Sequence, residues 1–87
     1  MKLVILYRPK SEQATAIDNF VRDYQARYSR QKLELVNLDD REGIALASLY
    51  DVMSFPAILV LADDGRMQYL WSDPGLPLID TVAAYMH

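Results

Sequence analysis

The 87-residue chain contains no cysteine. Disulfide bonds, thiolate metal ligands and catalytic thiols are therefore excluded together. Its one histidine is His87, the last residue of the sequence. Without cysteine and with a single histidine, the sequence offers no cluster with ordinary metal-ligand spacing, and we expect neither a metal nor another cofactor.

The sequence also lacks a basic block and a long hydrophobic run. Its formal net charge is −3, and Lys and Arg are scattered along it, so we expect no nucleic acid partner. The first apolar stretch, residues 3–6, is far shorter than the roughly 20 residues of a membrane span and is also too short for the core of a signal peptide. These absences predict no membrane association and a cytoplasmic location.

What the sequence does have is enough apolar material for one core. Hydrophobic residues make up 52% of the chain, which suffices for a single layered core at this length, whereas a chain this short rarely divides into two. We therefore expect one domain over residues 1–87. The sequence leaves its oligomeric state open.

Hydrophobic periodicity divides the chain into seven elements in the order β-α-β-α-β-β-α. Strands are predicted at residues 2–7, 32–38, 57–62 and 66–71, and helices at 11–28, 43–50 and 76–86. Ser11 is a candidate N-cap for the first helix, and the turn at residues 63–65, DDG, favours a hairpin. A right-handed crossover makes the first two strands parallel, so the prediction is an α/β fold with a mixed four-stranded sheet and helices on both faces.

A proline opens the third predicted strand, within the segment YDVMSFPAILVL at residues 50–61. This segment and the element order resemble the thioredoxin-like superfamily in its short, glutaredoxin-sized form, and the resemblance covers essentially the whole chain. The acidic stretch at residues 37–45 also resembles the family's stretch between its second strand and second helix, but this resemblance is less specific. The resemblance implies a thioredoxin-like fold and a cis peptide bond between Phe55 and Pro56.

The same resemblance locates the missing thiols. In glutaredoxin-like members, a loop after the first strand carries Cys-x-x-Cys at the start of the first helix, where helix amides and the macrodipole stabilise a thiolate. Aligning residues 6–10, LYRPK, with that loop places Ser11 and Ala14 at the two cysteine positions, and a shift of one residue places Glu12 and Thr15 there. Neither register contains a thiol, and a Ser11 hydroxyl without a base is no substitute. We therefore expect no thiol–disulfide oxidoreductase activity and no enzyme.

The resemblance also implies a binding role that needs no thiol. In the family, the main chain of the residue before the cis-proline pairs with an extended peptide, or with glutathione, through strand-like hydrogen bonds. Carried over to this sequence, the groove residues are Tyr7, Pro9, Ser11, Met53, Phe55 and Pro56. The implied function is a non-catalytic domain that binds a protein or peptide partner at this groove. A glutathione-type small-molecule site, a purely structural interaction domain and a vestigial loop stay open as alternatives.

Two other groups of side chains could carry chemistry. Carboxylates for acid–base work could come from Asp39, Asp40, Glu42, Asp63 and Asp64, but these residues lie in turn segments and a solvated turn is favoured. A stacking platform could be built from Tyr7, Tyr24, Tyr28, Tyr50, Tyr69 and Trp71. The spacing of these residues favours packing in or beside the core over a stacking platform. Trp71 fits this interpretation least well.

Overall fold

Four strands form one mixed sheet in the computed structural model, which describes residues 1–10, 12, 14–72 and 77–86. The elements in chain order are β1 (Lys2–Tyr7), α1 (Ala14–Arg27), β2 (Lys32–Asn37), α2 (Arg41–Leu49), β3 (Ala57–Leu61), β4 (Met67–Ser72) and α3 (Ile79–Ala84). The strands lie in the order β2-β1-β3-β4, with β1 parallel to β2, and with β3 antiparallel to both β1 and β4. The predicted element order and mixed sheet are confirmed.

The first and last helices begin later than the sequence pattern predicts. Helix α1 begins at Ala14 rather than near Ser11, and α3 begins at Ile79. Ser11, Gln13 and residues 73–76 lie outside the described residues. Helix α1, with 14 residues, is the longest helix of the described part of the chain, and no helix there is long and apolar enough to cross a membrane.

Helix α2 begins earlier than predicted, at Arg41 instead of Gly43. Asp40 already has the extended backbone of an N-cap, and its carbonyl accepts a hydrogen bond from the Ile44 N–H at 3.1 Å. Strand β2 ends at Asn37 because the Asn37 side chain accepts a hydrogen bond from the Asp39 N–H at 2.8 Å, which turns the chain. The first turn of α2 therefore follows β2 almost directly.

The sheet buries a hydrophobic core on each face, because successive side chains of a strand point to opposite sides. The core under α1 and α3, called here the α1 core, contains Leu3, Ile5, Ile17, Phe20, Val21, Tyr24, Ile58, Val60, Val82 and Met86. The core under α2, called here the α2 core, contains Val4, Leu6, Val36, Leu38, Val52, Ala57, Leu59 and Leu61. Helices thus cover both faces, as predicted. The central strands β1 and β3 contribute to both cores, which explains their continuous apolar sequences.

Gly43 allows α2 to lie directly against the chain at the end of β2. A Cβ atom at Gly43 would come within 2.1 Å of the main-chain oxygen of Asn37 and 2.9 Å of the Cα of Leu38. Both atoms belong to the main chain, so a side chain at this position would force the helix outward.

Candidate functional site

Two of the predicted binding residues, Tyr7 and Pro56, lie at the end of the sheet where β1 finishes and β3 begins. Leu6 pairs with Ala57 in the antiparallel ladder between these central strands. Tyr7 and Pro56 are the next residues outward on either strand, so they lie at the same end of the sheet. The peptide bond between Phe55 and Pro56 is cis.

A hydrogen-bonded helix ending directs the chain from α2 towards this end of the sheet. Asp51 has a positive φ of 54°, and its N–H donates to the Ser48 carbonyl at 3.3 Å, while the Val52 N–H donates to the Ala47 carbonyl at 2.8 Å. This pair of bonds is a Schellman motif, which usually has glycine at the left-handed position. Val52 is buried in the α2 core, and it anchors the start of the segment that leads to Pro56.

Residues 53–55 present their main chain and one long apolar side chain at the surface. The Met53 side chain is 86% exposed, Phe55 is half-buried against the α2 core, and Pro56 is buried. The main-chain groups of Met53, Ser54 and Phe55 form no hydrogen bond with any other residue that the structure describes. Main-chain donors and acceptors without a partner in the described part of the chain are available to an external partner.

The remaining predicted residues differ in where they lie relative to this segment. Tyr7 is half-buried and packs on the α1 core, so its ring lies on the opposite face of the sheet from the Phe55 ring. Pro9 is exposed in the turn that follows β1. Ala14, one of the two positions aligned with the lost cysteines, is the first residue of α1, and Ser11, the other position, lies outside the described residues. The structure therefore brings Tyr7, Phe55 and Pro56 to one sheet end, with the two rings on different faces.

The acidic residues of the hairpin turn are individually neutralised and do not form a pair. Asp63 accepts a hydrogen bond from the Met1 ammonium at 2.9 Å, and that bond, with the positive charge it brings, lowers the pKa of the Asp63 carboxyl. The Arg66 main-chain N–H donates to Asp64 at 3.1 Å and lowers the pKa of that carboxyl as well. The lowered pKa values and the separate partners of the two carboxylates favour a solvated turn over paired acid–base chemistry.

The aromatic residues divide between the core and one surface cluster. Tyr24 is fully buried in the α1 core, whereas Tyr69, Trp71 and Tyr85 contact one another at the edge of the sheet, with ring centroids 4.3–5.2 Å apart. Sequence reasoning missed Tyr85, which is not among the aromatic residues considered above for a stacking platform. Its position three residues after the buried Val82 was the available signal.

No protein-family model matches the chain, and no curated protein matches its sequence. Solved structures do match it in three dimensions. A malarial protein superimposes with a TM-score of 0.75 and 21% identity, over 97% of this chain and 90% of that one. Thioredoxin 1 of Thermosipho africanus superimposes with a TM-score of 0.75 and 14% identity, over 99% of this chain and 94% of that one. The Drosophila thioredoxin Deadhead superimposes with a TM-score of 0.70 and 19% identity, over 98% of this chain and 78% of that one. At these identities, what the proteins share is the fold.

Proposed function

Because the chain has a thioredoxin-like fold and contains no cysteine, we propose that it is a non-catalytic protein that binds an extended segment of a protein or peptide partner at residues 53–56. Thiol–disulfide exchange requires a thiolate, and this chain has no thiol to supply one. Pairing with an extended segment requires only main-chain donors and acceptors.

The observation that carries the proposal is the main chain of residues 53–55, which forms no hydrogen bond with described residues, beside the exposed Met53. A peptide that aligns with this segment gains main-chain hydrogen bonds without disrupting any bond between described residues. Burial of the Met53 side chain against the peptide would add about 1.5–3 kcal/mol. Methionine also adapts its shape to different apolar partners, which suits a binding surface.

The neighbouring surface indicates the chemistry of the partner. Leu49, the last residue of α2, is 69% exposed and precedes Met53 by only four residues. Two exposed apolar side chains flank the Schellman turn, so we expect the partner to present apolar rather than charged side chains here. The half-buried ring of Phe55 provides a further apolar contact.

The test is peptide selection followed by chemical-shift mapping. Peptides are selected from a displayed random library on the immobilised protein, and the selected peptides are titrated into labelled protein. We expect shifts at residues 53–56 and at Tyr7, and we expect N-methylation of the central peptide residues to abolish them, because methylation removes the main-chain donors. Failure to select any peptide, or shifts confined to another surface, would contradict the proposal.

A matched pair of substitutions separates binding at this site from a general loss of apolar surface. Met53→Asp removes an exposed apolar side chain at the site, whereas Leu78→Asp removes one that is 77% exposed at the start of α3. We expect Met53→Asp to weaken peptide binding about tenfold, since a charge replaces a buried contact, and Leu78→Asp to leave it unchanged. Equal effects of the two substitutions would count against the site.

Glutathione serves as a second ligand in the same mapping. Its backbone could pair with residues 53–55 as a peptide does, but it is small and charged. If millimolar glutathione caused saturable shifts at these residues and no peptide did, the ligand would be a small molecule and not a protein partner.

A further inference from the structure

A second candidate site lies at the other end of the strands, where β1 and β2 begin. A cavity of about 280 Å³ opens beneath α2 and is lined by Lys2, Lys32, Leu46, Tyr50, Leu61 and Asp63, among others. Lys32, Lys2 and Leu61 are register partners on three adjacent strands, so they form one row across the sheet. Lys2 precedes Val4 of the α2 core by two residues and therefore points to the α2 face.

The charged groups that line the cavity, together with their ion-pair partners Met1 and Glu34, carry one surplus positive charge. The chain has three lysines, and two of them, Lys2 and Lys32, lie side by side here. Lys2 pairs with Glu34 at 3.2 Å, and Asp63 pairs with the Met1 ammonium at 2.9 Å. Lys32 forms no direct ion pair with any described residue, although its charge reaches Asp63 and contributes to the lowered pKa of that carboxyl. Like charges on directly opposed strand positions repel each other. Glu34 offsets the charge of Lys2, and an added anion would offset that of Lys32.

The other wall of the cavity is apolar and held in place. Leu61 is buried in the α2 core, and Leu46 of α2 packs against that core. The Tyr50 hydroxyl donates a hydrogen bond to the Gly65 carbonyl, which ties the tyrosine ring to the hairpin turn. A ligand here therefore meets cationic groups on one side and fixed apolar groups on the other.

We propose that this cavity binds a small monocarboxylate with a compact apolar body. The carboxylate lies between the ammonium groups of Lys2 and Lys32, and the apolar body contacts Leu46 and Tyr50. One surplus positive charge matches a monoanion better than a phosphate, which carries more charge and no apolar surface. The volume is just below the roughly 300 Å³ at which ligand pockets begin, so it accommodates a single ring or branched chain rather than a large cofactor.

Benzoate is the probe, with benzamide as its neutral analogue of the same shape. The side-chain NMR signals of the three lysines report binding directly, and Lys10, exposed in the turn after β1, is the internal control. We expect saturable benzoate shifts at Lys2, Lys32 and Leu46 with a Kd of about 1 mM, as one exposed ion pair and one small apolar contact allow. Benzamide should bind about fivefold more weakly.

Matched substitutions test the role of the unpaired charge. Lys32→Met keeps the apolar stem and removes the charge, so it should weaken benzoate about fivefold and leave benzamide unchanged, whereas Lys10→Met should change neither. If Lys32→Met fails to fold, Lys32→Gln provides the same comparison. Non-saturable shifts, shifts of equal size at Lys10, or acetate or inorganic phosphate binding as tightly as benzoate would overturn the proposal. The result is independent of peptide binding at residues 53–56, because the two sites lie at opposite ends of β1.

Discussion

Gly43 and Gly65 are required for different reasons. Gly43 has an ordinary backbone but no space for a Cβ atom beside the main chain of Asn37. Gly65 has a positive φ of 89°, and the nearest atom to a Cβ there would be the Tyr50 hydroxyl at 3.8 Å. Gly43 is therefore required because a side chain would clash, and Gly65 because its backbone conformation is unfavourable for other residues.

Substitution by alanine at the two positions should distinguish the cost of a steric clash from the cost of backbone strain. We expect Gly43→Ala to lower the free energy of unfolding by about 3 kcal/mol, because α2 must move away from β2, and Gly65→Ala to lower it by about 1 kcal/mol, because only backbone strain is added. Urea denaturation of both variants measures the difference. A larger loss at Gly65 would show that the contact of α2 with Asn37 is not tight.

Tyr24 should make stability depend on pH in the alkaline range. Burial, with a smaller effect of the nearby Tyr28, raises the pKa of the Tyr24 hydroxyl from 10.0 to about 12, and this hydroxyl donates a hydrogen bond to Gln31. In the unfolded chain Tyr24 ionises near pH 10, so its contribution is complete below that pH and is lost as the pH rises towards 12.

The Tyr24→Phe variant isolates this effect. At neutral pH we expect it to be less stable than the parent protein by about 1 kcal/mol, the value of one hydrogen bond. As the pH rises from 10 towards about 12, this difference should shrink and then reverse, because a pKa raised from 10.0 to about 12 outweighs the roughly 1 kcal/mol of the hydrogen bond. Denaturation curves across this range measure the difference, and a constant difference would show that Tyr24 ionises equally in both states.

At the scale of elements, the end of α2 determines where residues 53–56 begin. Asp51 occupies the left-handed position of the Schellman motif, which an aspartate adopts at some cost and a glycine adopts freely. We expect Asp51→Gly to be more stable than Asp51→Ala by about 1 kcal/mol. Thermal unfolding of the two variants measures this, and equal stabilities would mean that the chain leaves α2 by another path.

Helices α1 and α3 are connected by polar contacts as well as by the α1 core. The Tyr28 hydroxyl, just beyond α1, donates a hydrogen bond to Asp80 at 2.8 Å, and Arg27 lies 3.6 Å from the same carboxylate. The hydrogen bond to Asp80 is the largest cause of the raised pKa of Tyr28. These contacts are solvent-exposed, so they orient the short α3 more than they stabilise it.

At the scale of the whole molecule, the protein combines a thioredoxin-like fold with no thiol. We expect the parent chain to show no disulfide reduction above background, and Ser11→Cys combined with Ala14→Cys to form a reversible intramolecular disulfide, because the alignment places these two residues at the family's Cys-x-x-Cys positions. Thiol quantification before and after reduction, with the parent chain as control, measures this. If the two thiols stay reduced under oxidising conditions, the alignment of residues 11–14 with Cys-x-x-Cys is wrong.

Most of the fold could be predicted because its strongest signals are local. The continuous apolar runs of β1 and β3 indicate central strands, and the three- and four-residue spacing from Ile17 to Tyr24 indicates a helix with one buried face. The position of the lost cysteines came from the resemblance, since no residue at Ser11 or Ala14 carries that signal alone.

The details of the candidate sites could not be predicted, because they depend on tertiary contacts. Whether Met53 is exposed depends on how the Schellman motif turns the chain, and the sequence shows no glycine to mark that turn. The pairing of Lys2 with Lys32 depends on the register between β1 and β2, which periodicity alone does not determine.

The cluster at the edge of the sheet also gives the protein an intrinsic optical probe. Trp71 is its only tryptophan, and its ring centroid lies 4.4 Å from that of Tyr69 on β4 and 5.2 Å from that of Tyr85, the residue after α3. Transfer of excitation from Tyr85 to Trp71 weakens steeply as the two rings separate. The part of the tyrosine-sensitised Trp71 emission that is absent from a Tyr85→Phe variant would therefore report detachment of α3 from the sheet, and comparison with circular dichroism would show whether that step precedes unfolding of the strands.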